Sequence, residues 1–413
     1  MGVAESLERK METDFDTCAL SNGLCGRSGE YALYRLMLDA DGRKVPEEWR
    51  RFAAETNCNP MHDPDWLTVH FAGKGEPVFV YLLYRSGSLC GVAPFAFNNW
   101  PLKWHIGEMT VAELPLRRLR VVGGAPRFPD DKEAWDLLFR YLAQSGFNAD
   151  AIYFDAVPIE SFLWRYMTES RSLRRLFRKY VPQTPAQHYF LRLNGCFEEY
   201  MKGFSSKHRK NLNREVRKLK DGEAGEMRFI RYTRAEDLPE FIDFAVAVAQ
   251  KTWQWNLLHS GVANAASQRR LRIEAEHGWL RSYVMVCGET PVAFIVGFQY
   301  GGVFLFHEVG FDSAYAKFSV GTVLFLLTIE DLFNYQKATV MDLGSHGTYK
   351  DSFTKESSLE GSVFLFRRGS YTAAIQMGHR FFQAGSNFGS SMLDKFGLKE
   401  RIRKKIRGAS VRH

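Results

Sequence analysis

The sequence lacks the marks of several large function classes. Its six cysteines, Cys18, Cys25, Cys58, Cys90, Cys196 and Cys287, form no CxxC pair and stand apart from any cluster of histidines. Such spacing argues against a disulfide framework and against a zinc site, and it suits reduced thiols in a cytoplasmic protein that carries no metal. No apolar run approaches the roughly 18–20 residues that a membrane-spanning helix needs. The opening residues mix acidic, basic and polar types and have no signal-peptide core. A Walker loop, an RNP pattern and a nucleophile elbow are also missing. Gly301-Gly302 falls between two strand-like runs, the wrong context for a dinucleotide fingerprint.

What is present is a large globular chain. Its 413 residues exceed one ordinary core, and two domains are expected. A content of 45% hydrophobic and 14% aromatic residues supplies enough apolar surface to bury both. The formal charge of +8 suits an anionic ligand or surface.

Residues 1–28 carry no periodicity and read as a disordered lead. Val78 to Tyr84, a turn at Arg85-Ser86-Gly87-Ser88 and Leu89 to Phe97 form a hairpin pattern. An amphipathic helix from Glu133 to Leu142 and a strand from Ala151 to Val157 follow. The same order returns later, with a hairpin from Tyr283 to Tyr300, an apolar helix from Val320 to Phe333 and a strand from Ala338 to Leu343. Two copies of one α/β unit account for the repeat, one over 29–187 and one over 188–372, with Arg171 to Gln187 as a linker between them. Residues 373–413 form a basic tail, whose charge suits peripheral contact with an anionic membrane.

The stretch from Val303 to Lys350 concentrates the candidate site. Ser319 is placed to cap the helix that begins at Val320, by accepting a hydrogen bond from a first-turn amide. Gly321 leaves the backbone open there. Strand, loop, helix N-terminus and strand in that order present free amides to a pyrophosphate. Asp342 stands at a strand end, where site residues of open α/β sheets gather, and equally fits a cap for the next turn. If the strand from Val303 is regular, His307 and Glu308 point to opposite faces, so one reaches the site as a general base and the other, His307, lies in the core. The helix expected over Glu198–Lys220 has a basic face that includes Lys207, Arg209 and Lys210. These three, with Trp253, are the candidate substrate contacts.

The pieces Lys207-His208-Arg209-Lys210-Asn211-Leu212, Gly310-Phe311-Asp312, Ser319-Val320-Gly321, Asp342-Leu343-Gly344 and Tyr349-Lys350 have a familiar order. Residues 189–371 resemble the GNAT-type acyltransferase domain of BioF2-like and CelD-like proteins, which are related to the FemABX aminoacyl transferases. The resemblance implies tandem GNAT-like domains, each a mixed, mostly antiparallel sheet flanked by helices, with the first copy degenerate. It implies transfer of an acyl group, acetyl above all, from acyl-CoA to an amine or hydroxyl of a small-molecule or sugar acceptor, with an amino sugar in cell-surface polysaccharide synthesis as one such acceptor. The donor pyrophosphate would rest on Phe318, Ser319, Val320, Gly321 and Thr322. Its pantetheine arm would run beside Val309 and Gly310, where that strand parts from its neighbour. Lys350, beside Tyr349, would stabilise charge developing at the reacting carbonyl. Val320 stands where many relatives have proline, and the stricter Gln/Arg pattern ahead of two glycines is not met. An aminoacyl-tRNA donor, the one nucleic acid in view, and a non-catalytic accessory role in a polysaccharide synthase are the alternatives.

Overall fold

Alternating apolar runs pair into hairpins in both halves of the chain. The computed structural model describes residues 23–38, 45–55, 59–71, 77–106, 109–144, 148–252, 261–345 and 347–395. Their contacts divide them into two units. The described residues of Met1–Ala186 and Leu359–Lys399 form the first, and those of Gln187–Ser358 the second.

The first unit contains β1 (Gly23–Ser28), β2 (Tyr31–Met37), β3 (Val78–Arg85), β4 (Ser88–Asn99), β5 (Leu102–Ile106), β6 (Met109–Leu114), β7 (Arg117–Val121), β8 (Ala151–Pro158) and β9 (Phe177–Tyr180). The second holds β10 (Ala186–Arg192), β11 (Met227–Tyr232), β12 (Ser282–Cys287), β13 (Thr290–Tyr300), β14 (Val303–Phe311) and β15 (Val340–Ser345). The chain then returns to the first unit with β16 (Ser357–Arg367). In the first unit the sheet order is β1-β2-β3-β4-β7-β8-β16, β9 also pairs with β16, and β5 and β6 form a separate ribbon. Both faces of β3 are buried, as its unbroken apolar run requires. Val78, Val80 and Leu82 meet Trp49 of α1 (Glu47–Glu55) and Leu67 of α2 (Pro64–Phe71). Phe79 and Tyr81 face the other core. Trp135 and Phe139 of α3 (Lys132–Gln144), Tyr166 of α4 (Phe162–Glu169) and Leu173 of α5 (Arg171–Leu176) complete it.

In the second unit the order is β10-β15-β14-β13-β12-β11. One face packs on α6 (Phe197–Lys202), α7 (Ser206–Lys220) and α10 (Val320–Tyr335), through Met201, Leu212, Leu219, Val323, Leu324 and Leu332. α8 (Leu238–Ala249) packs on β12, β13 and β14, and α9 (Ala265–Glu276) packs on α8. The final helix, α11 (Ser370–Lys395), belongs to the first unit.

The expected repeat is present. β7–α3–β8 and β14–α10–β15 are each strand, helix and parallel strand. Each parallel ladder is short: Arg118–Arg120 against Ala151–Tyr153 in one, Val303–Leu305 against Val340–Asp342 in the other. The other strand pairs in both units are antiparallel.

Local chemistry overturns several expectations. The helix expected over Glu198–Lys220 is two helices, α6 and α7. Gly203 ends α6, and Ser205 starts α7 by accepting the His208 amide at 3.2 Å. The Arg171–Gln187 linker contains α5 and β9, held by buried Leu173, Phe177 and Tyr180. Of the expected lead, Gly23–Ser28 is β1 and residues 1–22 lie outside the described residues. Of the basic tail, the part up to Lys395 is helical and the rest lies outside them.

Candidate functional site

β14 and β15 pair for three residues and then part. Beyond Leu305 and Asp342, β14 continues to Phe311 on β13, while β15 continues to Ser345 on β10. Two strands that separate within a sheet leave backbone donors and acceptors unpaired along the opening. Phe306, the first residue of β14 past the ladder on the α10 side, meets Phe325 of α10 edge-on at 5.3 Å. Tyr349 meets Phe325 at 5.9 Å and Phe353 meets it at 4.5 Å.

Lys350 closes this group from the β15 side. It is 4% exposed, and its ammonium donates to the carbonyls of Leu343, Gly344 and Ser345 as β15 ends. Three donors meet three carbonyls, so the ammonium fixes the strand end. Burial pulls its pKa down, and the nearby Asp342 charge opposes that. Asp342 itself accepts two hydrogen bonds at 2.8 Å, one from His188 Nε2 on β10 and one from the Gly344 amide. It therefore caps the turn at Gly344, whose φ is +68°, and anchors His188.

The first turn of α10 lies at the other end of β14. Asp312 accepts the Ala314 amide at 2.9 Å and pairs with Lys251 at 3.3 Å, which starts a 3-10 turn over Ser313–Phe318. That turn runs directly into α10, and Ser319 makes the reversal in the left-handed region, at φ 55° and ψ 34°. A residue in this region costs on the order of 1 kcal/mol unless it is glycine. Ser319 occupies the N-cap position but makes no side-chain cap bond, contrary to expectation. The backbone of an ordinary N-cap is extended, and the left-handed turn here aims the hydroxyl elsewhere. The amides of Val320, Gly321 and Thr322 are left without that cap, and no acidic residue occupies the first turn. Gly321 sits under Phe311, where an added Cβ would lie 3.2 Å from the ring. Gly310 is required by packing, since a Cβ there would enter the Phe294 ring at 2.3 Å. Val309 packs toward the α10 core, as does Phe318.

His307 and Glu308 do not point to opposite faces. The β13–β14 register shifts between Val296↔Glu308 and Gly297↔Phe306, so His307 is the extra residue of a β-bulge. Both side chains consequently reach the α9 side, and His307 is exposed rather than in the core. Arg270 of α9 donates to His307 Nε2 and lies 3.6 Å from Glu274, a fully buried carboxylate. Because guanidinium only donates, His307 Nε2 is the acceptor. Glu308 lies against Gly261, close enough that a Cβ there would be 2.2 Å from its Oε1. Burial pushes the Glu308 carboxyl up to about 7, against a hydrogen bond from the Val262 amide and the charge of Arg270.

The candidate substrate contacts separate. Arg209 donates to the carbonyls of Met201, Lys202 and Phe204 and so closes the end of α6. Lys207 and Lys210 are exposed on α7, which packs on α10 and on the turn over Ser313–Phe318. Trp253 lies outside the described residues. Sequence reading missed His188 and Arg270. His188 shows itself only once β10 is known to pair with β15. Arg270 has a local signal, its i,i+4 spacing to Glu274. Among the described residues no group of three or more His, Cys, Asp or Glu could hold a metal ion.

Comparison with known proteins agrees with this architecture. Residues 206–351 match the family described as Acetyltransferase (GNAT) domain. Among solved structures, FemX aligns with a TM-score of 0.53 at 11% identity, over 83% of this chain and 99% of its own. A tandem GNAT protein from the clavulanic acid biosynthesis pathway covers 82% of this chain and 99% of its own, at 11% identity and a TM-score of 0.47. No curated protein matches. At 11% identity the FemX likeness is one of fold. Residues 206–351 are thus similar to a GNAT acetyltransferase domain, and the chain has a FemX-like α/β fold whose strand pairs are mostly antiparallel and flanked by helices.

Proposed function

We propose that the second unit transfers an acyl group, acetyl above all, from acyl-CoA to an amine. The observation that carries this reading is the uncapped first turn of α10 beside the parted strands β14 and β15. Amides of Val320, Gly321 and Thr322, with Phe318 and Ser319 leading into them, suit a pyrophosphate. The macrodipole adds about 0.3–1 kcal/mol, so hydrogen bonds must supply most of the affinity. The edge of β14 at Val309 and Gly310 would pair with the amides of a pantetheine arm. A strained, non-glycine left-handed residue at Ser319 fits a functional turn better than a merely structural one.

Glu308 is suited to act as the base. With a carboxyl titrating near 7, it can take a proton from the acceptor's ammonium at neutral pH. The freed amine then attacks the thioester carbonyl, the C–N bond forms and the C–S bond breaks, and the thiolate leaves as free thiol by taking up the proton that the new amide nitrogen loses. General base catalysis contributes about 3–5 kcal/mol, while holding both reactants in place contributes about 7–11. Lys350 and Tyr349 would act on this step through the shape of the β15 end, since the Lys350 donors are already engaged. An amino-sugar acceptor in polysaccharide synthesis rests on the resemblance to BioF2-like and CelD-like proteins.

One observation favours a second donor. The exposed basic residues of α7, Lys207 and Lys210 among them, suit the backbone of an aminoacyl-tRNA. Calorimetry of the full chain with acetyl-CoA and, separately, with a charged tRNA separates the readings. Micromolar acetyl-CoA binding is expected. Binding of the tRNA alone would transfer the site to the second donor, and binding of neither would leave an accessory protein.

A further inference from the structure

α11 is a helix with two apolar faces, of which the fold uses one. On its inner face Ile375 is buried, Arg178 donates to the Thr372 hydroxyl at 2.7 Å, and the Gln376 amide donates to the Lys179 carbonyl at 3.3 Å. His379 bonds the Tyr180 hydroxyl, and Phe382 lies 5.1 Å from the Trp104 ring. These contacts fix α11 against β5 and β9. An outer face in water is expected to be polar. Here it carries Ala374, Met377 and Phe381 along one line of the helix, flanked by Tyr371, whose ring is half exposed while its hydroxyl donates to the Pro115 carbonyl at 2.7 Å. Tyr371 is 50% exposed, Met377 57% and Phe381 77%. Nine large hydrophobic residues are exposed among the described residues, and these three turns of α11 hold three of them, Met377 and Phe381 on one line and Tyr371 at its flank. Such clustering marks an interaction surface, where scattered single residues would not.

The sequence that follows supplies the second observation. Beyond Lys395 come Lys399, Arg401, Arg403, Lys404, Lys405, Arg407 and Arg412, with Glu400 as the one acidic residue. An apolar stripe on a helix, continued by a segment of one charge sign, selects a partner that is both oily and anionic. We propose that α11 and the basic segment after it dock the protein on an anionic lipid bilayer, with α11 lying in the plane of the interface. The stripe is about one residue wide, too narrow for the roughly 800 Å² per partner of a stable protein interface. A bilayer imposes no such minimum, because headgroups close around whatever apolar surface enters. Nor does α11 insert across the membrane, since no described helix is long and apolar enough to do so. Stable anchoring takes two signals, and the stripe and the charge supply one each. This proposal does not depend on the acyl-transfer reading.

The test uses the full-length chain and vesicles of phosphatidylglycerol and phosphatidylcholine at about 3:7, against pure phosphatidylcholine. Co-sedimentation at low salt is expected with the anionic vesicles only, and about 0.5 M salt should abolish it by screening. Phe381→Asp and Met377→Asp replace side chains already in water, so the fold should survive, as circular dichroism will verify. Each should weaken partition about tenfold or more. Lys404→Glu with Lys405→Glu should weaken it as well, because each cation near an anionic leaflet is worth about fivefold. No sedimentation at low salt overturns the proposal. So does binding that ignores Phe381→Asp, or a vesicle-independent dimer that Phe381→Asp dissolves, which would make a second copy the occupant.

Discussion

The two units build the same crossover and complete its helix in opposite ways. In the first, Asp131 sits ahead of α3 and accepts the Glu133 amide at 2.8 Å through one oxygen. Its other oxygen accepts the Tyr31 hydroxyl at 2.9 Å, and Glu133 takes the Ser28 hydroxyl at 2.7 Å. A carboxylate already occupies the amides, and a second one stands in the first turn. In the second unit the first turn of α10 has neither a side-chain cap nor an acidic residue, and Ser319 is held in a left-handed turn. The strand ends differ too. β8 is followed by backbone ties, the Ile159 amide to Leu359 at 2.9 Å and the Ser161 hydroxyl to Pro158 at 2.6 Å. β15 ends on the buried Lys350 ammonium. One fold thus yields a closed, self-satisfied crossover and an open one, and the difference rests on a few residues at the helix N-terminus.

The largest effect should come from giving the second unit the first unit's solution. Thr322 is exposed in the first turn of α10. Thr322→Asp should stabilise the helix by about 0.3–1 kcal/mol while placing a carboxylate where the pyrophosphate belongs. Calorimetry should show acetyl-CoA affinity falling about a hundredfold with no loss of Tm. Equal affinity would move the donor away from α10.

Lys350→Met comes next. It strips three carbonyls of their common donor in a buried setting, and should cost about 3 kcal/mol in chemical denaturation. A Lys350 whose role is to hold β15 predicts lower stability and turnover together. Lower turnover at unchanged stability would instead make it a charge stabiliser in the reaction.

The difference between the two units was only partly legible in the sequence. Hairpins, the apolar helix over Val320–Phe333 and the element repeat follow from periodicity, which both faces of each sheet enforce. Hidden were features that depend on backbone geometry. A serine before a helix reads as a side-chain cap, and nothing in its neighbours announces a left-handed reversal. The bulge at His307 leaves no residue signature, yet it decides that His307 and Glu308 share a face. A lysine beside a tyrosine after a strand reads as a stabiliser of reaction charge until the three carbonyls that hold its ammonium are known. The break at Gly203 could have been read from Gly-Phe-Ser, because glycine followed by a potential cap is a known stop and start.

Asp131→Ala should destabilise the first unit by about 2 kcal/mol, through loss of the α3 cap and of the Tyr31 hydrogen bond. Thermal unfolding measures this, and donor affinity should not change. A gain of a second donor site would mean that Asp131 alone separates the units.

The smallest effect on stability concerns Glu308. Its carboxyl is raised from the usual 4.5 to about 7, so the native state binds more protons than the unfolded chain between those values. Stability from this group is full below about 4.5 and is lost as pH rises through about 7. Glu308→Gln should therefore gain about 1–2 kcal/mol relative to the parent at pH 8 and little at pH 4.5, after allowance for partial exposure. Its turnover should be low and should lack the rise through pH 7 expected of the parent. An unchanged pH–rate profile would assign the base elsewhere.

The most direct test of the contrast is the number of acyl-CoA molecules bound by the intact chain. Native mass spectrometry with acetyl-CoA should find one per chain, and none for Thr322→Asp. Two bound molecules, or one that survives Thr322→Asp, would contradict the account.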